Sequence, residues 1–130
     1  MKIPIWIMIW GLLMALLPLG FVAVAYFNPS YFSEEWVARG VSRLDDVYGN
    51  YVARNMASAL IMIFALWQRS AAMLIVAFLM RLLSDMFDVI HLSVAGTLDL
   101  RYSLDAGILS IGCLVSIYFL WPIYKSADDE

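Results

Sequence analysis

The chain has 130 residues, of which 64% are hydrophobic and 15% charged, and its formal net charge is −3. A soluble domain of this size could not cover its core, because it has too few polar side chains to face water. The same figures exclude a disordered chain, and the lack of a basic stretch excludes a nucleic-acid-binding protein. At about 20 apolar residues per crossing, the length suffices for four membrane spans. The composition therefore predicts an integral membrane protein.

The first apolar run, Ile3–Phe27, contains no charged residue. Ala23-Val24-Ala25 resembles a signal-peptidase site, so a cleaved signal peptide is the competing interpretation. Because the run is longer than the apolar part of a usual signal peptide, we predict a retained helix that Pro18 and Gly20 weaken.

The segment after this run predicts a short amphipathic helix, Glu34–Tyr48, on the membrane surface. Ser33 is a suitable N-cap, and Gly49 is predicted to stop the helix. Apolar side chains repeat at spacings of four, three and four residues, whereas charged residues fall on the opposite side. The apolar side comprises Val37, Val41, Leu44 and Tyr48.

Three further spans are predicted, Tyr51–Gln68, Ala71–His91 and Tyr102–Tyr124. Arg69-Ser70 is long enough only for a tight hairpin, and Leu92–Arg101 forms a loop. We therefore predict a single membrane domain, residues 1–130, folded as an all-α antiparallel four-helix bundle. Basic residues are divided almost evenly between the two membrane sides. We expect both termini in the cytoplasm, because the basic residues on their side lie in the shortest segments and the long loop is net acidic. An aromatic belt is predicted near one membrane face from Trp6, Trp10, Trp67, Trp121 and Tyr124.

Ionisable residues inside the predicted spans are the most informative feature, because each costs about 2.5–3.5 kcal/mol to insert into hydrocarbon. On the third span, the spacing of five polar residues places them within an arc of about 120° on one helix face. Chain direction brings two charged residues of the second and fourth spans to the same half of the bundle. We therefore predict a ligand-binding pocket formed by Arg54, Asn55, Arg81, Asp85, Asp88, His91 and Asp105, with Ser84 on the same face.

Four interpretations of these residues are open from the sequence. The charges can be structural pairs that fix helix register, a small-molecule or lipid-headgroup site, or a proton or ion path. Asp88-x-x-His91 with Asp85 resembles half of a metal motif, but no second histidine supports it, and we predict no metal ion and no cofactor. The catalytic residues of an enzyme are unknown from the sequence, and the candidate acid–base groups are His91, Asp88 and Asp85.

Small residues on the fourth span allow close helix contact, either within the chain or between copies. They are Ser103, Ala106, Gly107, Ser110 and Cys113. We therefore expect a homo-oligomer or a subunit of a larger membrane complex, in contact with membrane lipid and without nucleic acid. Cys113 is the only cysteine, so no intrachain disulfide can form.

Ala53-Arg54-Asn55 opens the second span, and an aspartate, Asp85 or Asp88, lies late in the third. With the four short spans, these residues resemble the DoxX-like family of small four-helix bacterial membrane proteins over about residues 47–116. The family's namesakes are linked to quinone-dependent respiratory complexes as small subunits. The resemblance implies a location in the bacterial inner membrane and an accessory role, carried by Arg54 and by Asp88 or Asp85.

We therefore predict a non-catalytic accessory or binding subunit whose polar pocket holds a lipid, a quinone or a similar amphipath. One alternative is a membrane oxidoreductase or isomerase that acts on a lipid-soluble substrate. The other is a proton or ion path, for which Ala71–Met80 offers no polar residue.

Overall fold

The computed structural model describes residues 2–27, 46–96 and 98–128. Within these ranges the chain is all-helical and contains no strand. The four helices are α1 (Ile5–Phe27), α2 (Asp46–Gln68), α3 (Ala71–Val94) and α4 (Leu100–Asp128). The prediction of an all-α four-helix chain is therefore confirmed for the described residues.

Two short connections are closed by local hydrogen bonds. Between α2 and α3, Arg69 adopts a positive φ of 50°, and the Ser70 hydroxyl accepts a hydrogen bond from the backbone N–H of Met73. At the end of α3, Gly96 has a φ of 70° and donates its backbone N–H to the Ser93 carbonyl. Glycine takes this left-handed conformation without steric penalty, so α3 ends here.

The helices pack mainly on their neighbours in the chain: α1 on α2, α2 on α3, and α3 on α4. An aromatic contact joins the first helix to the last. Trp6 of α1 and Phe119 of α4 lie edge to face with their centroids 5.5 Å apart. The buried core runs through all four helices and includes Ile7, Met14, Met62, Phe78, Leu82, Cys113 and Leu120.

Large apolar side chains also cover the outside of every helix. Ile9, Leu60, Phe87 and Ile108, one from each helix, are all more than half exposed. Two stretches, Ile5–Val24 and Leu100–Ala127, are long and apolar enough to cross a membrane, and only 33% and 28% of their most apolar windows is buried. A core helix of a soluble protein would be mostly buried, so the exposed apolar surface favours a membrane location.

Within the described residues, helices α2 and α3 contain no apolar stretch of this length. Helix α2 has one shorter apolar stretch, Val52–Gln68. Helix α3 has 24 residues, enough to cross a bilayer of about 30 Å, but Arg81, Asp85 and Asp88 interrupt its apolar sequence. The described structure therefore shows two helices apolar enough to span, and the prediction of four spans is not confirmed by it.

The predicted surface helix Glu34–Tyr48 lies almost entirely outside the described residues. Its last three positions belong to α2, which begins at Asp46. The prediction that Gly49 stops a helix is wrong, because Gly49 lies inside α2. A single glycine costs a helix only about 1 kcal/mol, which the packing of a long helix can outweigh.

Candidate functional site

The buried part of the site is an ion pair within α3. Arg81 and Asp85 lie one turn apart, and the Arg81 Nη2 atom is 2.9 Å from the Asp85 Oδ1 atom. Only 14% of the arginine side chain and 7% of the aspartate side chain are exposed. The i,i+4 spacing that puts both residues on one helix face also puts them on the face that packs into the bundle.

Helix α2 contributes a buried amide to this pair. Asn55 is only 3% exposed, and its Oδ1 atom accepts a hydrogen bond from Arg81 Nη1 at 3.5 Å, the long end of the usual range. The Arg81 guanidinium therefore joins a carboxylate of its own helix to an amide of the neighbouring helix. The fork of donors that arginine carries makes this double contact possible.

A second ion pair connects the same two helices nearer their outer surface. Arg54 of α2 donates two hydrogen bonds to Asp88 of α3, from Nη1 to Oδ1 at 2.9 Å and from Nη2 to Oδ2 at 2.8 Å. The arginine side chain is 42% exposed and the aspartate side chain 28% exposed. Both carboxylate oxygens are used, which is the strongest arrangement for this type of pair.

The two pairs form one polar cluster between α2 and α3, which we define by five residues: Arg54, Asn55, Arg81, Asp85 and Asp88. Two positive charges balance two negative charges, so its formal net charge is zero. Asp85 and Asp88 are three residues apart, and the cluster therefore runs along one face of α3 from a buried end to a partly exposed end.

The buried end of the polar cluster contains an oxygen atom without a hydrogen-bond donor. Asp85 Oδ2 is inaccessible to solvent and has no partner in the part of the chain that the structure describes. A buried polar atom left in this state costs about 1–3 kcal/mol, and more when it is charged. Such an atom requires an explanation, and one explanation is a bound molecule that supplies the missing donor.

Two of the predicted site residues make none of the hydrogen bonds that join the polar cluster. His91 of α3 and Asp105 of α4 are both exposed, and neither takes part in the hydrogen bonds that join the cluster. Within the described residues, no three or more histidine, cysteine or acidic side chains come together in a metal-binding group. The five residues of the polar cluster thus come from α2 and α3.

One close contact was not anticipated from the sequence. A Cβ added to Gly112 of α4 would fall on the ring of Trp10 from α1, so only glycine fits there. The Trp10 Nε1 atom is buried. Trp10 is partly buried against the core, whereas Trp67 and Trp121 are exposed, as members of a membrane-face belt would be. No single-helix pattern could pair a tryptophan with a glycine a hundred residues away.

Comparison with protein-family models, curated proteins and solved structures found no match to this chain. The functional interpretation therefore depends on the site itself.

Proposed function

We propose that this chain is an integral membrane protein with four spans that acts as a non-catalytic accessory or binding subunit. Its polar cluster would hold the polar head of a lipid, a quinone or a similar amphipath, while the apolar tail lies along the exposed surface of the bundle. The bacterial inner membrane, with both termini in the cytoplasm, is the proposed location. Helices α2 and α3 would cross the bilayer with their charged residues paired against each other.

The observation that carries this proposal is the unpartnered Asp85 Oδ2 atom beside two paired arginines. A cluster whose only role is to join α2 to α3 would be expected to satisfy all of its buried atoms, as the Arg54–Asp88 pair does. The large apolar side chains on the outside of all four helices support the membrane setting. The proposed DoxX-like membership agrees with this role and rests on Arg54 and on Asp88 or Asp85.

Ligand retention tests the binding role. The wild-type protein and the variants Arg54→Ala and Asp88→Asn are purified in mild detergent, and the amphipaths that remain bound are quantified by mass spectrometry. We expect both variants to lose most of the bound molecule while their unfolding temperatures change little. Asp105→Asn is the matched control, since it removes an exposed carboxylate outside the polar cluster. Unchanged occupancy in both folded variants would show that the cluster binds nothing.

Single-cysteine labelling tests the four-span arrangement independently. In a Cys113→Ala background, Arg69→Cys marks the α2–α3 turn and Ala95→Cys marks the α3–α4 turn. The proposal predicts that an impermeant maleimide labels these two positions from opposite sides of a sealed vesicle. Labelling of both from the same side would mean that α3 does not cross the bilayer.

A further inference from the structure

The chemistry of the polar cluster narrows the class of ligand, and this inference rests on the proposed binding role. Within the described residues, both guanidinium groups of the cluster already have carboxylate partners. The cluster is thus balanced in charge, and it does not call for a ligand that carries a charge of its own. An anionic headgroup would be repelled by the two carboxylates as well as attracted by the two guanidinium groups paired with them, and would gain little net attraction.

The unsatisfied Asp85 Oδ2 atom indicates which chemical group the ligand must carry. An ionised carboxylate can only accept hydrogen bonds, and Asp85 Oδ1 is already bound to Arg81. Asp85 Oδ2 therefore requires a donor from outside the described residues. Among uncharged amphipaths, the simplest donor is a hydroxyl group. A carbonyl or an ether offers only acceptors and would leave the oxygen unsatisfied.

The position of the Arg54–Asp88 pair indicates the direction of access. Asp88 lies nearly one turn beyond Asp85 on the same helix face, and its pair is the partly exposed end of the polar cluster. The opposite direction along α3 leads to Phe78 and Leu74, which are fully buried. Asp85 Oδ2 is closed to solvent in this structure, so the proposed hydroxyl would reach it only when the Arg54–Asp88 pair opens. The apolar remainder of the molecule would stay outside among the exposed side chains.

We propose that the polar cluster selects an uncharged amphipath with a hydroxyl head, an alcohol or a phenol, which donates a hydrogen bond to Asp85 Oδ2. Anionic phospholipids are excluded by the balanced charge, and oxidised or etherified forms of the same ligand are excluded by the lack of a donor. The site thus distinguishes a hydroxyl from its methyl ether although the two differ little in size.

Matched lipid probes in phosphatidylcholine nanodiscs test the selectivity. The probes are dioleoylglycerol, its 3-O-methyl ether and dioleoyl phosphatidate, which share their acyl chains and differ only in the head. Binding to the wild-type protein is measured by native mass spectrometry. We expect dioleoylglycerol to bind about tenfold to a hundredfold more tightly than the ether, as one hydrogen bond to a charged group would produce. Phosphatidate is expected to bind no better than dioleoylglycerol.

A second pair of probes distinguishes the two sources of a hydroxyl. Decylhydroquinone and its dimethyl ether compare a phenol with its ether in the same way. The probe pair with the larger ratio of hydroxyl to ether affinity identifies the class of natural ligand. In Asp85→Asn, the amide presents both a donor and an acceptor, so the preference for hydroxyl over ether should fall to about twofold or less. Asp105→Asn should keep the wild-type ratio.

The outcomes separate this inference from the proposed function. If the ether binds as tightly as the hydroxyl in both probe pairs, or if phosphatidate binds most tightly, the hydroxyl inference is wrong and the binding role stands. If the wild-type protein binds no probe above the phosphatidylcholine background, both are overturned. The comparison of probes on the wild-type protein remains decisive even if Asp85→Asn fails to fold.

Discussion

The two ion pairs of helix α3 differ in burial and in completeness. The outer pair, Arg54–Asp88, joins two helices and uses both oxygens of its carboxylate. The inner pair, Arg81–Asp85, lies within one helix and uses one oxygen. A polar atom without a hydrogen bond costs more free energy when it is buried. The unsatisfied oxygen of Asp85 therefore lies in the less favourable of the two positions.

This contrast separates a structural role from a binding role. In the outer pair, both carboxylate oxygens accept hydrogen bonds from the protein itself, so this pair can serve to hold α2 against α3. In the inner pair, one oxygen of the Asp85 carboxylate lacks a hydrogen bond within the described residues, and we propose that a ligand supplies the donor. Substitutions in the two pairs should therefore have opposite profiles, with a large effect on stability at the inner pair and a large effect on access at the outer pair.

The largest effect is expected from Arg81→Met. Removal of the arginine leaves the Asp85 carboxylate buried without its counter-charge, and breaking a buried pair in this way costs about 3–5 kcal/mol. The free energy of unfolding in mixed micelles measures the loss. The double variant Arg81→Met/Asp85→Leu serves as the control, because removing both charges should restore most of the stability. A loss below about 1 kcal/mol in the single variant would show that the inner pair is not effectively buried.

A smaller effect is expected at an uncharged contact, which shows how much stability depends on packing alone. Gly112→Ala places a methyl group on the Trp10 ring, and such overpacking costs about 1–3 kcal/mol. Gly107→Ala on the same helix is the matched control, because nothing lies within 4 Å of its added Cβ. The control should be neutral or slightly stabilising, since alanine favours a helix by about 0.5–1 kcal/mol. Equal unfolding free energies for the two variants would contradict the close contact.

The outer pair should contribute little to stability. A double-mutant cycle of Arg54→Ala and Asp88→Asn measures the coupling between the two side chains, and we expect about 0.2–1 kcal/mol, because both side chains are partly exposed. Ligand retention in the same variants should fall severalfold, because the pair borders the route to Asp85. A coupling energy as large as that of Arg81 with Asp85 would remove the distinction between the two pairs.

The smallest effect is expected from His91→Ala and Asp105→Asn. Both residues are exposed and make none of the hydrogen bonds that join the polar cluster, so each substitution should change the unfolding free energy by no more than about 0.5 kcal/mol. Ligand occupancy measured by mass spectrometry should stay at the wild-type level. A loss of ligand in either variant would extend the binding site to α4 or to the end of α3.

The helices could be predicted from the sequence because apolar runs are separated by strong turn signals. Arg69 and Gly96 lie at helix ends with a positive φ, and Ser70 caps the start of α3. These are properties of the residues themselves and do not depend on distant contacts. The polar face of α3 could be predicted in the same way, because a helical spacing is a property of one segment.

The orientation of side chains between helices could not be predicted in this way. Chain direction places Asp105 at the level of the other charged residues along the bundle axis. It does not specify how α4 is rotated about its own axis, and in the structure this rotation leaves Asp105 exposed. The rotation depends on contacts between distant residues, such as Trp10 on Gly112, which no single segment encodes.

Infrared spectroscopy of the Asp85 carboxylate tests the central claim most directly. The band that disappears in Asp85→Asn reports this side chain, and its frequency responds to hydrogen bonds at the carboxylate oxygens. We predict that the band shifts when dioleoylglycerol is added to the wild-type protein and stays unchanged when the methyl ether is added. An unchanged band while dioleoylglycerol is bound would show that the ligand does not use Asp85, and would contradict the account.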